Sequence, residues 1–152
     1  MRSRLKRLLP FVVAALAVIL VAIQFVPFGR PTPNPPTLRE PRWDSPRTRE
    51  LVARACMDCH SNNSRYPWYS YVAPVSWLVN KDITEARAQM NFSEWDRVQR
   101  GASEAIQVIE KGEMPLPIYV PLHPEARLSA DERQALIDGM RATLEADRPR
   151  RR

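Results

Sequence analysis

Residues 56–60 read Cys-Met-Asp-Cys-His and gather two thiols and one imidazole into five positions. One helical turn separates Cys56 from Cys59, so both sulfurs can add to vinyl groups of a single porphyrin as thioethers. His60 then lies beneath the iron, where a neutral imidazole nitrogen is a strong proximal ligand. C-x-x-C-H is the attachment sequence of a covalent c-type haem for that reason. Three other chemistries compete for the same residues. A thioredoxin-like dithiol expects a surrounding βαβ pattern, whereas these flanks are helical and polar. A zinc site could recruit Cys56, Cys59, His60 and His123, but adjacent ligands at Cys59 and His60 would crowd a tetrahedral ion. A structural disulfide accounts for both sulfurs and leaves His60 unexplained.

Iron held by His60 has a second axial position, and its occupant decides between electron transfer and ligand chemistry. Met114 is the first candidate, in a proline-punctuated loop ahead of the last helix from which a thioether could reach the distal face. His123 is the alternative, and bis-histidine ligation would lower the potential. Met140 belongs to a helix stripe, Met57 is turned away by its place between the cysteines, and Met90 lies near a helix end. Trp68, Tyr69, Trp77 and Trp95 are candidate walls or propionate contacts, and Arg65 is a candidate propionate partner. Aromatic core packing and a solvated arginine account for them at least as well. No distal acid–base pair is evident, although Glu113 adjoins Met114. A non-catalytic one-electron carrier therefore fits better than the alternative, a haem sensor or peroxidase-like enzyme with a displaceable distal ligand, and no catalytic residue is assigned.

Such a haem is attached outside the bacterial cytoplasm, and the N-terminus carries an export signal. Arg2, Arg4, Lys6 and Arg7 precede an uncharged, mostly apolar run from Leu8 to Phe28, long enough to cross a bilayer of about 30 Å. The positive flank belongs in the cytoplasm. Ala15-Leu16-Ala17 has the form of a cleavage site but lies inside the apolar run, so residues 1–29 are read as an uncleaved anchor in the inner membrane. Seven prolines between Pro27 and Pro46 exclude a helix interior. Residues 30–45 are expected to be an extended linker reaching on the order of 50 Å from the membrane. The net charge of +6 does not indicate nucleic acid, because the basic excess lies in the first thirty residues and the 148–152 tail. Between them acids outnumber bases.

Residues 46–147 remain for one small domain on the periplasmic side, a size that buries one core. Ser45 and Pro46 suit an N-cap and first helical position, and Pro74 can open a second helix through Trp77, Leu78 and Ile83. Ser93 is expected to cap a third, running through Trp95, Ala102 and Ile109 to Gly112. Ser129 and Glu132 form a capping box for the last, with Leu136, Ile137, Met140 and Leu144 on one face. Strand signals are absent, so the fold class is all-α: a small cytochrome c-like helical domain around one haem, preceded by a single transmembrane helix.

The run C-x-x-C-H-S-N, Tyr-Pro-Trp-Tyr-Ser at 66–70, Ala-Pro-Val-Ser-Trp at 73–77 and Asn-Phe-Ser-Glu-Trp at 91–95 resembles the bacterial haem-binding domain family related to cytochrome c. The resemblance continues through Gly112-Glu113-Met114-Pro115, Leu122-His123-Pro124 and Leu128-Ser129. It implies one covalent haem c in a membrane-tethered or exported domain. A redox protein of the periplasm or inner membrane is the expected partner.

Overall fold

Hydropathy and capping residues divide this chain into its elements. The computed structural model describes residues 2–150, with side chains from Leu8 to Arg150. The side chains of Arg2, Arg4, Lys6 and Arg7, and the tail residues Arg151 and Arg152, lie outside the described residues. Among the described residues six α-helices carry the fold: α1 (Arg2–Ala22), α2 (Pro46–Ala55), α3 (Met57–His60), α4 (Val75–Gln89), α5 (Ala105–Glu110) and α6 (Ala130–Ala146). Among the described residues β pairing is confined to two isolated bridges, Arg39 with Glu94 and Val98 with Arg150. The protein is all-α, as the sequence indicates.

The chain forms two compact units. One comprises the N-terminal segment through Thr32 together with Tyr66–Lys81. Its Leu8–Phe25 stretch has a mean hydropathy of 2.7 and buries none of its length, so this helix is long and apolar enough to cross a membrane. Immediately after it, the Gln24 side-chain amide donates to the Ala73 carbonyl and accepts from the Ala73 N–H, both at 3.0 Å. Gly29, at φ +67°, lets the chain pass so close to Trp77 that a Cβ would lie 2.7 Å from its Cα. Pro74 precedes α4, the position read for it.

The second unit comprises 33–65 and the chain from Asp82 onward. In α2 the Ser45 hydroxyl accepts the Thr48 N–H and Pro46 occupies the first turn, a cap whose loss costs about 1 kcal/mol. The buried face of α2, Thr48, Leu51, Val52 and Ala55, packs on α6, where Leu136, Ile137, Met140 and Thr143 are buried. The Ser129–Glu132 capping box is formed. Phe92 and Trp95, stacked 5.9 Å apart at 15°, complete the core with Trp43 against Phe92.

Two expectations are corrected. The helix placed from Ser93 to Gly112 is much shorter: residues 91–98 are turns and isolated bridges, a 3-10 turn covers Arg100–Ser103, and α5 spans only Ala105–Glu110 before Gly112 ends it at φ +72°. Ser93 is not a cap, because its hydroxyl accepts the Asn62 N–H and its carbonyl accepts from Leu38 and Arg39. Trp95 is wholly buried and its indole donates to the Asp147 carbonyl, which holds this stretch as a strut. The proline-rich stretch is extended, but from Asn34 it is bound rather than loose. Asn34 donates to the Ser64 carbonyl, and Arg39 binds both oxygens of Asp147 at 2.9 and 2.7 Å. Burial opposes the Asp147 charge, yet Arg39 and the Arg42 N–H outweigh it and hold this carboxyl below its usual range.

A Cβ at Gly139 would overlap the Thr48 hydroxyl and approach its Cγ2 at 2.9 Å, so the close α2–α6 crossing requires glycine there. Gly139→Ala is expected to destabilise the detergent-solubilised chain by about 2 kcal/mol through overpacking, although alanine favours a helix by about 1 kcal/mol. A urea midpoint equal to or above the parent's would refute it. The Glu132 carboxyl is held down to about 2, chiefly by Arg54 and then by the Ser129 N–H. Its contribution to stability is complete above its unfolded value near 4.5 and disappears as the pH falls through its folded value. Glu132→Gln should therefore flatten the unfolding midpoint over that acidic window; an unaltered pH profile would exclude the carboxylate as its source.

Candidate functional site

Cys56 is both the last cap of α2 and the first of α3, with φ −130° and ψ −37°. Its carbonyl accepts the N–H of Cys59 at 3.2 Å and of His60 at 2.9 Å, so one tight turn gathers both sulfurs and the imidazole. Ser61 ends the turn in an extended conformation. Its buried hydroxyl donates to the Met57 carbonyl and accepts the Asn63 N–H, and its own carbonyl accepts from Arg87. The His60 carbonyl accepts the Phe92 N–H at 2.8 Å.

Asn62 fastens this turn. Almost fully buried, its amide donates to the Pro36 carbonyl and the Glu94 carboxylate and its oxygen accepts from Asn91, while its N–H reaches Ser93. Gln99 extends the network to the Asn91 N–H. Asn62 and Asn91, noted in the sequence only within family-like motifs, and Ser93, read there as a helix cap, are thus the polar frame of the Cys-His turn.

The His60 Nδ1 lies 3.0 Å from the Met90 carbonyl. A carbonyl only accepts, so Nδ1 carries the proton and Nε2 keeps the lone pair that a metal needs. Burial lowers the His60 pKa, against the opposing effect of the Met90 and Ala86 carbonyls, and so favours the neutral ligand form. Phe92 meets the ring edge-on at 6.5 Å. Both thiols are free. Burial first, then the neighbouring thiol, pushes Cys56 up to about 12; burial, then Asp58 and Asp82, raises Cys59 to about 11. A redox dithiol needs a lowered thiol pKa, so this environment opposes the thioredoxin-like reading. Among the described residues no three of His, Cys, Asp and Glu gather as metal ligands, which leaves the four-ligand zinc arrangement unassembled. The donor set suits a haem: two unbridged thiols one turn apart and an oriented neutral imidazole.

Met114 is half-buried, follows the Gly112 turn, and donates its N–H to the Val108 carbonyl. It and Cys56 border the same apolar cluster. His123 is buried, its Nδ1 donates to the Tyr119 carbonyl at 3.0 Å, and its ring lies flat on that of Tyr119 at 3.6 Å and 7°. The Tyr119 hydroxyl donates to Asp58 at 2.8 Å, inside the Cys-His turn; burial, then that carboxylate, pushes the phenol pKa well up.

Arg65 makes a two-pronged pair with the same Asp58, at 3.0 Å from each nitrogen. Asp58, silent in the sequence as a filler position, therefore organises the outer side of the turn. Trp95 is a core residue. Trp77 is partly buried with its indole N–H unpartnered, and Trp68, which stands 77% exposed, meets Tyr69 edge-on. Two clefts of about 540 and 380 Å³ lie along α5 and α6, with none of Cys56, Cys59 or His60 in their walls.

The model of a family described as a haem-binding domain matches residues 18–142. No curated protein and no solved structure matches the chain.

Thiol titration separates the dithiol and haem readings. In chain made without haem attachment, both cysteines should react with iodoacetamide at pH 8 at least about tenfold more slowly than free cysteine, since the thiolate is the nucleophile. A thiol reacting faster than free cysteine would restore the redox-dithiol reading.

Proposed function

The chain belongs to the haem-binding domain family, and from that premise we propose that it carries one covalent haem c, anchored to the inner membrane, and passes single electrons to or from a redox protein. The observation that carries this reading is the Cys56–His60 turn, with His60 Nδ1 fixed to the Met90 carbonyl at 3.0 Å. In this reading Cys56 and Cys59 form the thioethers, each S–H adding across one vinyl group, and His60 Nε2 is the proximal ligand. Bound haem supplies a ferric–ferrous couple. The chain's own part is to hold the ligands, keep water away and leave an edge for the partner. Met57 and Phe92, both buried, serve the second of these.

For the sixth position we favour Met114. His123 already has a structural task, stacked on the tyrosine that holds Asp58, whereas Met114 is half-buried and packs against the same apolar cluster that Cys56 borders. Methionine raises the potential relative to a second histidine. The Nδ1 bond of His123 to a backbone carbonyl is also what a histidine ligand needs, and this keeps His123 as the rival. The positive-inside rule puts Arg2, Arg4, Lys6 and Arg7 in the cytoplasm and the haem domain in the periplasm.

Optical spectra of the matured protein, oxidised and reduced, test both levels. The expected result is a two-thioether c-type spectrum with a methionine–iron charge-transfer band and no shift with carbon monoxide. Cys59→Ala should abolish the two-thioether spectrum; its retention would end the covalent reading. Met114→Ala should lower the potential and open the iron to carbon monoxide. If His123→Ala does so instead, histidine is the ligand, and if the parent itself binds carbon monoxide readily, sensing or peroxide chemistry replaces electron transfer.

A further inference from the structure

Between Arg65 and Lys81 the chain has no charged residue, yet much of that stretch faces outward. Trp68, Tyr71, Val72, Val75 and Leu78 are all exposed, the first two by 77% and 61%. In the second unit the exposed large apolar side chains are scattered at Leu38, Val98, Ile118 and Leu122. Five fall within residues 68–78 of one compact unit, and exposed apolar side chains concentrated in this way mark an interaction surface. Its position identifies what it meets.

The patch belongs to the same compact unit as α1, and it is fastened where the apolar span ends. Gln24 closes a two-way amide pair with Ala73 at 3.0 Å in each direction. Phe28 meets Trp77 edge-on at 6.3 Å, and Gly29 admits the Trp77 backbone. A span from Leu8 to Phe25 rises about 27 Å at helical pitch, close to the hydrocarbon thickness. Contacts at Gln24, Phe28 and Gly29 therefore hold the segment at headgroup depth. Tryptophan and tyrosine concentrate at that depth because each joins an apolar ring to a polar tip, and a charge-free stretch avoids the cost of bringing ions there.

We infer that Tyr66–Asn80 is a membrane-interface surface, seated in the headgroup and upper acyl region of the bilayer that α1 crosses. It makes a second membrane contact besides the span. The inference rests on the reading of α1 as a membrane span, and its test separates the two.

The matured full chain is reconstituted in phosphatidylcholine vesicles containing a phosphatidylcholine with a diazirine near the glycerol end of one acyl chain. After illumination, adducts are mapped by peptide mass spectrometry. Adducts are expected in α1 and in 66–80, and none in α6. Replacing Trp68, Tyr71 and Leu78 by serine should cut the yield in 66–80 at least threefold and leave that of α1 unchanged. Should the triple variant fail to fold, the parent map alone decides. Adducts in α1 with none in 66–80 would overturn the interface and assign the patch to a protein or cofactor cover. Their absence from both would overturn the span and this inference with it.

Discussion

The arrangement of the second unit depends on the buried amide of Asn62. Two residues after the candidate iron ligand, it ties the Cys-His turn to the proline-rich strap through Pro36, to Glu94 and Asn91, and to Ser93 through its backbone. Every partner is a polar group that would be costly to bury unpaired, at about 1–3 kcal/mol each. The network is thus cooperative in a specific sense: removing the hub strands several groups at once, and no apolar residue of similar size could serve all of them. It also sets the limits of regular structure, since segments whose polar groups are consumed by the hub cannot join a helix.

That constraint positions His60, the candidate ligand. With residues 91–95 fixed to Asn62, the end of α4 presents the Met90 carbonyl to His60 and Phe92 to its ring. The imidazole is thereby given one tautomer and one orientation by groups outside the turn that carries it, the usual way a ligating histidine is prepared. Burial acts in the same direction on all three donors. It favours neutral His60 and protonated Cys56 and Cys59, which suits a site that binds a metal through nitrogen and holds its thiols as covalent links, and disfavours a thiolate nucleophile.

Local signals were legible wherever a side chain answered its own backbone. Ser45 with Pro46 before α2, and Ser129 with Glu132 before α6, are short-range capping patterns, and both form. The apolar run of α1 is equally local. Ser93 failed as a cap because its hydroxyl is claimed by Asn62, thirty-one residues away, and helix periodicity through Trp95 and Ala102 could not reveal that claim. Arg65 stood out as a candidate propionate partner, but its pair with Asp58 was not legible. The strap read as a tether because prolines exclude a helix, but proline content is silent on whether an extended chain is bound. That one turn gathers Cys56, Cys59 and His60 was legible from their spacing. The roles of Asp58, Asn62 and the Met90 carbonyl were not, because they exist only through tertiary contacts.

In the proposed haem site, the rivalry between Met114 and His123 turns on how the loop between α5 and α6 is held. Gly112 ends α5 in a left-handed conformation, which fixes where the chain departs toward Met114. At the other end Tyr119 is bound to Asp58 and covered by His123. Drawing His123 to a metal would require separating a ring pair at 3.6 Å or carrying Tyr119 along, and the latter would pull its hydroxyl from the carboxylate on the Cys-His turn. Met114 carries no such obligation: its backbone is fixed to Val108, and its flexible thioether can reorient by rotation about its own side-chain bonds. A methionine ligand thus leaves the Asp58–Tyr119–His123 stack intact as a brace behind the turn, whereas a histidine ligand would exchange that brace for a bond to iron.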